Sequence, residues 1–262
     1  MKDELWHFRI DFNSSSYARD VLMDILSADK ANYDKAISEL KKEIELLDSA
    51  ISLHIELLQA AYRQVDSWKN NPSPRSTIAM AESALNYIFL ARHGVLLGYY
   101  SEVRNLLRSC YERISRCVVF SANEKEAKRF LSGEKIQQVE IDKKLSELAT
   151  QGNNDELLKS LREYYGAISE DIHPNLHSFE ARYGQRNLGE RVGLQPIFGG
   201  IMSHSLGHLT ITRILQVELI ALKILGNIIR DTSGKWGEEY HRISTQHKHL
   251  VDELEEDIET TN

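Results

Sequence analysis

The stretch "AISELKKEIELLDSAISLHIELLQAAYRQV", residues 36–65, carries the longest regular apolar pattern in this chain. Apolar residues, with one histidine among them, recur at alternating steps of three and four: Ile37, Leu40, Ile44, Leu47, Ile51, His54, Leu58, Ala61 and Val65. This spacing places them on one side of an α-helix and is typical of a coiled coil. The pattern predicts one long, coiled-coil-like helix from Ala31 to Trp68, about 55 Å in length.

Such a helix either packs along the rest of the protein or pairs with its copy in a second chain. The seam, meaning the positions just named, is too long for the shorter predicted helices to cover by themselves. We therefore expect a homodimer with the helix of residues 31–68 at its interface.

The rest of the sequence also predicts helices. The 262 residues include only 4 Pro and 14 Gly, and alternating β-branched runs are nearly absent. We expect a single all-α domain over residues 1–262, a bundle of about seven to nine helices. Besides the long helix, it comprises a core bundle over residues 74–230 and an acidic C-terminal helix over residues 235–262. The most apolar helix, Gly200–Arg230, is expected at the centre, after a long loop over residues 173–198.

The charge balance and the cysteines restrict the partners and the cellular location that we expect for the protein. A net charge of −7 argues against nucleic acid as a partner, since binding to phosphates needs a surplus of Lys and Arg. The apolar stretch from Ile197 to Ile229 is interrupted by charged residues and histidines, so no membrane span is expected. Cys110 and Cys117 lie about 10 Å apart on one predicted helix, beyond disulfide reach. Together with an N-terminus that lacks the apolar run of a signal peptide, they predict a cytoplasmic protein with core thiols.

Two pairs of histidines, each with a spacing of four, are candidates for a metal site. His173 and His177 flank Pro174 in "HPNLH", and His204 and His208 lie in "SHSLGH". Two imidazoles at this spacing on a helix can share a divalent metal such as zinc, given a third ligand. No HExxH pattern supplies that ligand, and Pro174 disfavours a regular helix through the first pair. We therefore expect no cofactor and interpret these histidines as the rim of a polar pocket.

A second group of candidates lies on the helix that contains the cysteines. In "VRNLLRSCYERISR", polar residues recur every fourth position beside the apolar face: Arg104, Arg108 and Glu112. In "REYYGAISEDIH", a similar stripe leads to a helix end: Tyr165, Ser169 and His173. Such groups can line a ligand pocket, but no acid is positioned to complete a nucleophilic triad. The alternative interpretation is an exposed Arg108–Glu112 ion pair with no further role.

The C-terminal helix carries a motif with a different chemical interpretation. Arg242 and His247 in "RISTQH" have an R-x4-H spacing, and Arg242 and His249 have an R-x6-H spacing. Ribonucleases of the HEPN type use an Arg and a His at such a spacing to act on an RNA phosphodiester. Arg is frequent enough in this chain for these spacings to arise by chance, so the motif alone indicates little.

The order of two segments resembles a known family. "LLGYYSEVRNLLRSCYERI" is followed some fifty residues later by "YYGAISEDIHPNLHSF", an order similar to that of the uncharacterised bacterial all-α families typified by the DUF5677 domain. The matching positions lie within roughly residues 80–180 and are Arg108, Glu112, Tyr165, Ser169 and His173. The resemblance implies a helical bundle, loosely HEPN-like, and many such bundles are linked to toxin–antitoxin systems or phage defence.

Two functions from different classes follow. In the first, the protein is a non-enzymatic module that binds a small molecule or a protein partner in a pocket formed by Arg104, Arg108, Glu112, Tyr165, Ser169 and His173. In the second, it is a hydrolase, RNA-directed through Arg242 and His247 or metal-dependent through His173, His177, His204 and His208. The acidic net charge and the missing third metal ligand favour the binding module.

Overall fold

Eight α-helices make up most of the described part of the chain and pack as an all-α bundle. The computed structural model describes residues 15–150, 161, 183–187, 192–196, 203–229 and 234–261. The helices are α1 (Ser15–Glu39), α2 (Lys41–Arg63), α3 (Pro72–Leu96), α4 (Tyr100–Ala122), α5 (Glu124–Leu131), α6 (Gln138–Thr150), α7 (His204–Ile228) and α8 (Lys235–Thr261). The predicted fold class is confirmed, and for the residues described so is the number of helices.

A short β-hairpin lies inside the segment predicted to be a long loop. Strand β1 (Tyr183–Asn187) pairs antiparallel with β2 (Val192–Pro196), with Tyr183 opposite Pro196 and Asn187 opposite Val192. The remaining residues of the predicted 173–198 loop lie outside the described part of the chain.

The predicted long helix Ala31–Trp68 is corrected to two helices with a bend between them. Leu40 has φ −113° and ψ 27°, values that depart from those of an α-helix, so α1 ends at Glu39 and α2 begins at Lys41. At the other end α2 stops at Arg63, and Val65–Trp68 forms a 3₁₀ turn. The apolar period is the same on both sides of Leu40, so the sequence pattern carries no sign of the bend.

The chain's own helices bury most of the seam. From Leu40 to Ala61 each seam position is at most 6% exposed, whereas Ile37 and Val65 at its ends are 38% and 45% exposed. α2 packs mainly against α7 and also contacts α3 and α8. The premise that shorter helices leave the seam uncovered is therefore wrong, and the homodimer stays a prediction without that support.

The apolar helix α7 lies at the centre of the bundle, as predicted, and contacts α1, α2, α3, α4 and α8. It begins at His204 rather than Gly200, and the Ser203 hydroxyl caps it by accepting a hydrogen bond from Leu206 N at 3.4 Å. Within the described ranges, no helix combines the length and the apolar character that a membrane crossing requires.

The hairpin of α3 and α4 contains both cysteines. It turns at Gly98, whose φ of +78° is one that a residue with a side chain rarely adopts. Cys110 and Cys117 are both buried, free and directed at α3, with their Sγ atoms 3.8 Å from Ala84 O and 3.4 Å from Thr77 O. Burial raises the pKa of both thiols. The predicted core thiols are confirmed.

Candidate functional site

The polar stripe of α4, meaning Arg104, Arg108 and Glu112, lies on the partly exposed side of that helix. Arg108 Nε is 3.5 Å from Glu112 Oε1, and the two side chains are 39% and 29% exposed. The opposite side of α4 is held in the core by Leu107, Cys110, Ile114 and Cys117, all buried. The stripe is therefore a set of solvent-accessible charged groups on a rigid helix.

Arg116 extends the stripe by one more turn and was missed by the sequence analysis. Its Nη1 donates to Glu112 O at 2.8 Å and to Gln138 Oε1 at 2.7 Å, which joins α4 to the start of α6. Burial lowers the pKa of Arg116, with the charge of Glu112 acting in the opposite direction. Its four-residue spacing from Glu112 was the signal that could have identified it.

Arg113 faces a different neighbour. Its guanidinium donates to Ser83 Oγ at 2.7 Å and to Tyr87 Oη at 2.9 Å, and lies 4.0 Å from the centre of the Tyr87 ring. These contacts join α4 to α3, so Arg113 stabilises the hairpin of these two helices and is not part of the stripe.

The other half of the predicted pocket, Tyr165, Ser169 and His173, lies outside the described residues. Leu161, four residues before Tyr165, is described and is fully buried in the core. Of the chain just before them, Leu161 is thus the described residue, and it packs in the core.

The second histidine pair is divided by its surroundings. His204 is exposed and His208 is buried, with their ring centres 6.2 Å apart. His208 Nδ1 lies 2.8 Å from Glu43 Oε1 on α2, and its Nε2 lies 3.3 Å from Leu250 O on α8. Both ring nitrogens of His208 therefore already have hydrogen-bond partners.

This arrangement does not form the metal centre that was considered as an alternative, within the described residues. No three His, Cys, Asp or Glu side chains of the described chain are placed to share one ion. A nitrogen that donates a hydrogen bond has no lone pair for a metal. The other candidate ligands, His173 and His177, lie outside the described residues.

The structure reveals a second histidine–glutamate pair that the sequence analysis missed. His54 Nδ1 lies 2.9 Å from Glu218 Oε1, and both side chains are 0% exposed. Within the described residues His54 Nε2 and Glu218 Oε2 have no hydrogen-bond partner. The signal was present, because His54 occupies a seam position and Glu218 lies inside the most apolar helix.

The two members of the R-x4-H motif point in different directions. Arg242 is exposed and donates to Glu239 on its own helix at 2.6 and 2.9 Å. His247 is partly buried, with Nε2 3.1 Å from Thr212 O on α7. A five-residue step on a helix rotates the side chains by roughly 140°, so Arg242 and His247 do not meet at one phosphate.

Arg242 instead lines a groove between α2 and α8, together with His249 of the R-x6-H spacing. The groove has two adjoining sections of about 800 and 770 Å³, and the ion pairs Lys42–Glu253 and Glu56–Lys235 bridge it. Seven carboxylates and three cationic side chains line it: Glu45, Asp48, Glu56, Glu238, Glu239, Asp252 and Glu253 against Lys42, Lys235 and Arg242. This excess of negative charge opposes the binding of an RNA phosphate.

Comparison with family models, with curated proteins and with solved structures gives no match to this chain.

Proposed function

We propose that this protein is a helical binding module, and that the polar stripe of α4 binds a small molecule bearing a carboxylate or phosphate group. The observation that carries this proposal is the partly exposed Arg108–Glu112 pair on a helix whose other side is buried. A guanidinium matches carboxylate and phosphate in charge and in hydrogen-bond geometry, and Arg104 supplies a second one a turn away.

The strength of the Arg108–Glu112 pair suits an exchange of partners. A surface ion pair contributes only about 0–1 kcal/mol, and here the closest charged atoms are 3.5 Å apart. An anionic ligand can therefore compete with Glu112 for the Arg108 guanidinium. Arg116 and Gln138 lie at one end of this site, and Tyr165, Ser169 and His173, the other predicted pocket residues, lie outside the described residues.

The geometry of the histidines favours binding over hydrolysis. His208 uses both ring nitrogens in contacts to Glu43 and Leu250, and His247 contacts the Thr212 carbonyl away from Arg242. A metal-dependent or RNA-directed hydrolase would need these side chains to face a substrate. The proposal keeps the expected cytoplasmic location and the homodimer.

The test is a ligand screen on two matched variants. The unfolding temperature is measured with inorganic phosphate, citrate, glutamate and adenosine monophosphate, for the wild type, Arg108→Gln and Arg63→Gln. Arg63 is an exposed arginine at the end of α2 and serves as the control. At least one of these anions should stabilise the wild type and Arg63→Gln.

For Arg108→Gln the affinity for that anion should fall roughly tenfold or more, since a hydrogen bond to a charged group contributes about 1.5–3 kcal/mol. Equal stabilisation of all three proteins would contradict the site. No stabilisation of the wild type by any of the four anions would contradict the ligand class.

A further inference from the structure

Two histidines join α8 to α7 on neighbouring turns. His208 of α7 contacts Leu250 O of α8 through Nε2 at 3.3 Å, and His247 of α8 contacts Thr212 O of α7 through Nε2 at 3.1 Å. The two helices run antiparallel, so the contacts lie side by side, one helical turn apart along α7.

The contacts of His208 require a charged ring. Its Nδ1 faces the Glu43 carboxylate at 2.8 Å and its Nε2 faces the Leu250 carbonyl at 3.3 Å, and both partners are acceptors. A neutral imidazole donates from one nitrogen only, whereas an imidazolium donates from both. Loss of the proton therefore removes the hydrogen bond to α2 or the one to α8.

The surroundings of His247 favour the neutral ring. Its Nε2 faces one backbone carbonyl, that of Thr212, and a neutral ring with its proton on Nε2 satisfies this acceptor. Within the described residues no carboxylate acts on this ring. A positive charge on this partly buried side chain would lose hydration without a compensating partner.

The charged neighbours agree with this difference. His208 is surrounded by Glu43 of α2, Glu253 of α8 and His204 on its own helix, and the hydrogen bond with Glu43 is the main reason that its pKa is raised. Burial lowers the pKa of His247, against the opposing effect of the Thr212 carbonyl. The ordinary pKa of histidine, 6.5, thus lies between the pKa of His247 and that of His208.

We propose that His208 and His247 form a two-histidine clasp that holds α8 most firmly when His208 is charged and His247 is neutral. The docking of α8 then has an optimum near neutral pH and weakens on both sides of it. As the pH rises through the pKa of His208, the contribution of its charged form is lost. As the pH falls through the pKa of His247, the contribution of its neutral form is lost. This regulation is independent of the ligand site on α4.

The experiment is amide hydrogen exchange of α8 in the full chain between about pH 5 and 8, where histidines titrate. Rates are corrected for intrinsic exchange and converted to opening constants for residues 239–254. In the wild type the opening constant should pass through a minimum and rise on each side, by at most tenfold per pH unit for one proton.

Three glutamine variants separate the two limbs. Glutamine donates a hydrogen bond at any pH. His208→Gln should therefore remove the rise of the opening constant above the optimum pH (the alkaline limb), and His247→Gln should remove the rise below it (the acidic limb). His249→Gln, at an exposed position of the same helix, should leave both limbs unchanged. The imidazole signals of the wild type, followed by NMR, should give a pKa above 6.5 for His208 and below 6.5 for His247.

The proposal is overturned by opening constants that do not change with pH in the wild type. It is also overturned by limbs that persist in His208→Gln and His247→Gln, or by two imidazoles whose pKa values fall in the reverse order. The NMR titration uses the wild type only, so the test does not depend on the variants folding.

Discussion

Leu40 and Gly207 meet where α1, α2 and α7 converge, and their contact shows how one residue sets the position of a helix. Leu40 is fully buried at the bend between α1 and α2. A Cβ atom added to Gly207 would overlap Leu40 Cδ1 and would lie 3.2 Å from Tyr100 Oη. Because Leu40 fills the space beside Gly207, the missing side chain at Gly207 lets α7 approach the bend.

This contact predicts different effects for two glycines of α7. Gly207→Ala should lower the free energy of unfolding by about 1–3 kcal/mol, since it overfills a packed site. Gly226→Ala should raise it by about 0.5–1 kcal/mol, because Ala is the better helix residue and, apart from its own helix backbone, no atom of the described residues lies within 4 Å of an added Cβ there. Chemical denaturation of both variants measures the difference. Equal changes in the free energy of unfolding of the two variants would show that Leu40 can move aside without destabilising the protein.

Between elements, α2 and α7 are joined by two histidine–glutamate pairs. In one pair the glutamate lies on α2, and in the other it lies on α7. Glu43 of α2 meets His208 of α7, and His54 of α2 meets Glu218 of α7. The order of these contacts along both helices shows that α2 and α7 run in the same direction. The pairs set the register of the two helices, because a slip of either helix would leave buried polar groups without partners.

The fully buried pair gives a prediction that a surface ion pair would not. His54→Leu should cost about 3–5 kcal/mol, because it leaves the Glu218 carboxylate in the core without its partner. Glu218→Leu should also destabilise, through the unsatisfied imidazole. The double variant should regain most of the lost free energy of unfolding, since two apolar side chains leave no buried polar group without a partner. The free energies of unfolding of all four proteins form the test, and additive losses in the double variant would refute the coupling.

At the scale of the whole molecule, the surface that remains for self-association is not the one the sequence suggested. The seam of α2 is used inside the bundle. α1 carries large apolar side chains that are 38% to 55% exposed, on a helix with few contacts to the others: Leu22, Met23, Leu26, Tyr33 and Ile37. If the predicted homodimer forms through a helix, α1 is the described helix with the most exposed large apolar side chains.

Sedimentation equilibrium tests the homodimer. The expected mass is twice the 30.1 kDa of one chain, and Leu22→Glu combined with Leu26→Glu should reduce it to that of one chain. Val139→Glu changes an exposed apolar residue of α6 and should leave the mass unchanged. A wild type of 30.1 kDa at every concentration would exclude the homodimer. A dimer that survives the double variant would have its interface elsewhere.

The candidate site was only partly predictable. Arg108 and Glu112 could be placed together, since residues four apart on a helix are neighbours whatever the rest of the chain does. The spacing of His204 and His208 was equally local, yet their chemistry depends on Glu43 and Leu250, which lie on other helices. For the same reason the R-x4-H spacing could not reveal that His247 faces Thr212.

Local sequence patterns were enough to predict a helical bundle, with α7 as its central helix and with buried cysteines. These properties follow from apolar periodicity and from few helix-breaking residues, which act over one or two turns. The bend at Leu40, the helices that cover the seam and the partners of His54 and His208 could not be predicted in this way and depend on the packing of the whole chain. Each of these depends on contacts between residues far apart in the chain, such as His54 and Glu218, which are 164 positions apart. Apolar periodicity shows that one face of a helix is buried, but which helix covers that face depends on how the whole chain packs.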